Sequence, residues 1–143
     1  MKLLKADETK YPKLYKFVKD ELPEVVKNPK IVKAMKKYGE IGKLGLRIVL
    51  IYGLPPTVKV ATLPDACGEF TPSDKAKSNE IRISKALVEK FEKDTKKYNK
   101  LVEATLLHEL AHWGDNIDGK DLPGEEGEKF EKEAYGHVVP CVL

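Results

Sequence analysis

The stretch "TLLHELAHWGD", Thr105 to Asp115, decides how the rest of the chain is read. Residues four apart on a helix stack on one face. His108 and His112 can therefore offer two imidazole nitrogens to one ion, about 2.0–2.1 Å from each. Glu109 is rotated by about 100° around the axis, too far to share the inner shell but within reach of a water held by the ion. From Leu101 to Gly114 the only formal charges are Glu103 and Glu109. Such an apolar setting strengthens the electrostatics of an ion site and limits the access of water. A core helix carrying two satisfied histidines is the competing reading, and the uncharged surroundings favour the ion.

This is the His-Glu-x-x-His arrangement in which two histidines hold zinc and the glutamate is the general base. Such a site takes a third protein ligand and keeps a fourth position for water. His137 is the remaining histidine, and acids abound downstream: Asp115, Asp118 and Asp121, then Glu125, Glu126 and Glu128, then Glu131 and Glu133. A closing helix at about 100° per residue gathers Gly127, Phe130, Ala134, Tyr135 and Val138 on one side, with Glu126, Glu128, Lys129, Lys132 and Glu133 on the other. Glu131 is the one charge landing in the apolar group. A buried carboxylate is costly unless paired or metal-bound, so Glu131 is the expected third ligand. Glu133 follows if the register slips at Gly127, then Asp115 or Asp118 if a turn past Gly114 swings back, then His137. Tyr135, close to Glu131, is a candidate to stabilise an oxyanion, or else a core tyrosine with its hydroxyl at the surface.

The bulk composition agrees with one soluble domain over residues 1–143, and the order of elements read below, helices, a small sheet, then helices, gives an α+β plan. Apolar residues make up 41% and charged residues 34%, which excludes a disordered chain. The net charge of +3 comes from 26 basic and 23 acidic residues. That dispersion argues against nucleic acid, which calls for a concentrated basic face. No apolar run approaches the roughly 20 residues of a membrane span, and Met1 to Lys10 lacks the core of a secretory signal. Cys67 and Cys141 fit either a single bridge stapling the C-terminal tail to the middle of the chain or two separate thiols.

Along the chain, "PKLYKFVKDEL" and "PKIVKAMKKYG" read as helices, the second through Ile31, Ala34, Met35 and Tyr38 with Gly39 as its stop. "LGLRIVLIYG" is rich in branched residues and reads as a buried strand over Leu46 to Tyr52. Alternation in "TVKVATL" predicts a strand, and Pro55–Pro56 a connection before it. An irregular segment leads to the strand "EIRIS", Glu80 to Ser84, which is either internal or an edge able to pair with a substrate backbone. Helices follow: "KALVEKFEKD", then Lys97 to Trp113 stopping at Gly114, then "GEKFEKEAYGHV" after the loop "DNIDGKDLPGEEG".

"HELAHWGD", with "NEIRISKALVEKFE" before it and "GEEGEKFEKEAYG" after it, resembles the zincin-like metallopeptidase toxin domains of bacterial polymorphic toxins and secreted effectors. The likeness spans Cys67 to Val138. It implies a zincin fold, with N-terminal helices, a small twisted sheet over the active-site helix, and a C-terminal helix carrying the third ligand. It implies one Zn2+ held by His108, His112 and a glutamate of "FEKEAYG", with Glu109 as base in a peptidase acting on protein. It also implies delivery without an N-terminal signal into a target cell from the producer's cytoplasm, and a cognate immunity protein as partner. The alternatives are a zinc hydrolase of another amide or ester, and a non-catalytic module whose metal is closed in by four protein ligands.

Overall fold

Proline and asparagine punctuation sets the helices of the N-terminal third. The computed structural model describes residues 1–71, 78–117 and 125–143. Helix α1 (Lys5–Lys10) is followed by α2 (Pro12–Lys16), which opens on Pro12 where a missing N–H costs nothing. The chain then runs through a π-helical turn, Phe17–Glu21, and a 3-10 turn, Leu22–Lys27. Helix α3 (Pro29–Tyr38) starts where the Asn28 side chain accepts from the Lys30 and Ile31 backbone N–H groups at 3.0 and 3.4 Å. It buries Ile31, Ala34 and Met35, the face the sequence period predicts, and stops at Gly39.

The expected strand over Leu46–Tyr52 is a helix, α4 (Lys43–Val49). Leu46, Val49 and Leu50 are buried while Leu44 and Ile48 are exposed, a spacing of three and four and not two. Branched side chains gave the run a strand-like composition, but a short apolar run carries no decisive period.

Four strands form one sheet in the order β1-β2-β4-β3: β1 (Lys2–Leu3), β2 (Thr57–Ala61), β3 (Gly68–Glu69) and β4 (Glu80–Ser84). β1, β2 and β4 are parallel, and β3 pairs antiparallel with β4. The "EIRIS" strand is therefore internal, with Ile81 and Ile83 fully buried, and the edge nearest it belongs to β3. Arg82 is buried beside them and pairs with Glu69 at 2.8 Å and Glu80 at 3.1 Å. This pairing offsets the cost of a buried cation and ties the short edge strand to the sheet.

Helix α5 (Lys85–Lys93) begins on a Ser84 cap, and α6 (Thr95–Asn116) on an Asp94 cap. Gly114 does not stop α6, which continues two residues beyond it. A Cβ at Gly114 would lie 2.3 Å from the Gly39 carbonyl oxygen, so this glycine lets the end of α3 approach α6. Helix α7 (Glu126–Tyr135) packs against α3 and α6 and ends at Gly136, left-handed at φ 84°. Glu126, expected on the outer face, is buried with Lys129 at 3.7 Å. Cys67 and Cys141 form a disulfide across 74 residues. No helix among the described residues is long and apolar enough to cross a membrane.

Candidate metal centre

Helix α6 presents His108 and His112 one turn apart, their rings 5.1 Å between centroids. Glu125 stands just before the first turn of α7 and reaches back to both. Its Oε1 lies 2.9 Å from His112 Nε2 and 3.3 Å from His108 Nε2. These three are the group among the described residues whose ligand atoms all fall within 4.8 Å of one another. Two atoms each about 2.0 Å from a tetrahedral ion stand about 3.3 Å apart, so the spacing suits such an ion with little movement. Two imidazoles and one carboxylate are also a donor set that zinc accepts, with one coordination position left over.

Glu131, the third ligand expected from the sequence, is brought to His108 on the other side of the ring. Its Oε2 bonds His108 Nδ1, and its Oε1 accepts from the Val139 backbone N–H at 2.9 Å. A carboxylate on Nδ1 holds the neutral ring with its proton there and leaves the Nε2 lone pair facing Glu125. The burial of Glu131 at 5% exposure was legible from the helix face, although its partner was not. Burial alone would lower the basicity of His108, but the bond from Glu131 and the neighbouring Glu109 and Glu125 outweigh it and raise the imidazole above its ordinary range.

The other candidates point elsewhere. The Tyr135 hydroxyl donates to Glu103 at 2.8 Å, and burial first, with Glu103 second, raises it far above the ordinary range. Glu133 faces Lys37 at 3.8 Å across the α3 contact. Asp115 is buried within α6, and His137 is exposed beyond α7. Asp118 and Asp121 lie outside the described residues. Nothing in the sequence singles out Glu125, which sits in a run of acids with no period. The signal that could have marked it is its place directly before a helix that packs on α6.

Glu109 lies under β3. A Cβ on Gly68 would come within 2.9 Å of its Oε1, so the glycine lets the strand backbone rest on the carboxylate. Burial pushes the Glu109 carboxyl up to about 7, against an opposing pull from His108. Its Oε1 is 3.9 Å from His108 Nε2. Beside it opens a cavity of about 340 Å³, lined by His108, Glu109, Glu125 and Glu131 on one side and by Gly68 and the tail near Val139 on the other.

Gly127, in the first turn of α7, approaches His108 so closely that a Cβ would stand 2.2 Å from Nε2. Gly127→Ala must push the imidazole or the helix aside. The expected result is a fold weakened by about 1–3 kcal/mol through overpacking and a metal affinity at least tenfold lower, read by chelator competition beside a denaturant melt. An unchanged affinity would mean that His108 Nε2 does not face the ion.

The family described as metallopeptidase toxin 3 matches residues 7–136. Neither a curated protein nor a solved structure gives a significant match to the chain.

Proposed function

Because the chain belongs to the metallopeptidase toxin 3 family, we propose that it is a zinc endopeptidase of the zincin kind. In this reading His108, His112 and Glu125 hold the ion and Glu109 is the base. Membership carries the coarser statement, a metal-dependent peptidase toxin acting on protein. The finer reading rests on one observation: a carboxylate oxygen of Glu125 lies within 3.3 Å of Nε2 of both helical histidines.

A divalent ion in this group would supply Lewis acidity, making a water acidic near neutral pH and polarising a carbonyl oxygen. The chain's own residues do the rest. Glu109, raised to about 7 by burial, takes the proton of the attacking water and returns it to the departing nitrogen. Glu131 keeps the His108 ring turned with Nε2 inward. Gly68 lines the cavity on an edge strand, so an extended substrate can add its backbone to β3 and bring a carbonyl past Glu109. Tyr135, held by Glu103, supports α7 against α6. As a toxin, the protein would be carried into a target cell and restrained in its producer by an immunity protein.

The purified protein should bind one zinc ion per chain and cleave a protein substrate. A chelator should remove both properties, and added zinc should restore both. Cleavage that survives with no metal bound would sink the proposal.

A further inference from the structure

The C-terminal tail after α7 is part of the cleft. Val138, Val139, Pro140 and Cys141 all line the cavity that holds His108 and Glu109. Two attachments keep them there. The Val139 N–H donates to Glu131, which bonds His108 Nδ1, and Cys141 is bridged to Cys67. Cys67 lines the same cavity and directly precedes β3, whose Gly68 rests on Glu109. The bridge thus ties the two rims of the cleft together. Pro140 to Leu143 are exposed, so their own packing does little to hold them against the cleft without these attachments.

We propose that the Cys67–Cys141 bridge makes the tail a thiol-releasable wall of the catalytic cleft. Held, it narrows the space open to a substrate side chain and fixes Glu131 against His108. Released, it widens the space and loosens His108. The proposal rests on the peptidase reading above and adds its control by redox state. Cys67 is buried and Cys141 exposed, so a thiolate meets Cys141 first. A dithiol supplies two electrons and two protons, its own sulfurs close to a disulfide, and Cys67 and Cys141 are left as thiols. Secretory and extracellular settings keep such a bridge, and a cytosol reduces it.

The test compares the oxidised protein, the dithiol-reduced protein and Cys67→Ser/Cys141→Ser. Zinc affinity is read by competition with a fluorescent chelator, and side-chain preference with peptides graded in size beside the cleaved bond. Reduction and the double variant should each weaken zinc about tenfold, the lower end of what loss of an outer partner costs. Both should admit larger side chains. Val139→Pro deletes the N–H given to Glu131 while the bridge stays closed. It should weaken zinc in the oxidised protein by a similar factor, so the proposal stays testable even if the double variant fails to fold. Zinc bound equally in both redox states, with the same peptide preference, overturns the wall and leaves the peptidase intact. Absence of zinc in both states overturns the two together.

Discussion

Glu109→Gln is expected to lower turnover by about 10²–10⁴, the usual contribution of a positioned general base, with zinc still bound. Glutamine preserves the shape under Gly68 but accepts no proton from water. His108, His112 and Glu125 are untouched, so affinity for the ion should stay within a few-fold. Loss of zinc in this variant would make Glu109 a ligand and not a base. The same variant carries a second signature in the metal-free protein. Burial raises the carboxyl from 4.5 to about 7, so the folded state keeps a proton that the unfolded chain gives up in that window. Wild-type stability from this group is full below the unfolded value and is lost as pH rises through about 7. Glutamine has no proton to lose. Between pH 4 and pH 8 the stability difference should swing by about 3 kcal/mol in favour of the variant, since each pH unit between the unfolded and folded values is worth about 1.36 kcal/mol. Denaturant melts in chelator at the two pH values would measure it, and a flat difference would mean that Glu109 is ionised when buried.

The second large effect separates Glu125 from Glu131. Glu125→Ala removes the oxygen near both imidazoles and should weaken zinc by more than the roughly 10–100-fold typical of an outer partner. Glu131→Gln keeps an oxygen able to accept from His108 Nδ1 and should cost about tenfold at most. The reverse ranking would return the third-ligand role to Glu131, the residue its helix face had pointed to. Calorimetric zinc titration of both variants decides between them, since Glu125 is half exposed and its loss leaves the core as it was.

What the sequence made legible follows from periodicity. His108, Glu109 and His112 stand out because a long helix imposes its own geometry, and α3 because Pro29, Gly39 and a 3.6-residue period agree. α4 did not, since "LGLRIVLIYG" has branched residues and no polar beat to separate helix from strand. β3 is two residues long, too short for any pattern, yet it is the edge that rests on Glu109. Glu131 was marked as buried by its helix face, because burial is a property of a face. The neighbour met there is a property of how two helices cross, and that depends on Gly114 and Gly127, where a missing side chain permits contact. Glu125 carries no such mark among its neighbouring acids, because only the position of α7 against α6 gives it meaning. The sequence left the cysteine pairing open, and the fold joins the two thiols.

The placement of Glu125 at the start of α7 and of Glu131 within it has a consequence for synthesis. A chain leaves the ribosome from its N-terminus and its parts emerge in order, so the two histidines and Glu109 appear before either carboxylate. α7 must then dock on α3, made about a hundred residues earlier, as well as on α6. Until it docks, His108 lacks both the oxygen at its Nε2 and the anchor at its Nδ1. Until then the growing chain carries the two histidines and the two carboxylates as separate parts. The candidate ligands come together only when α7 closes on α6.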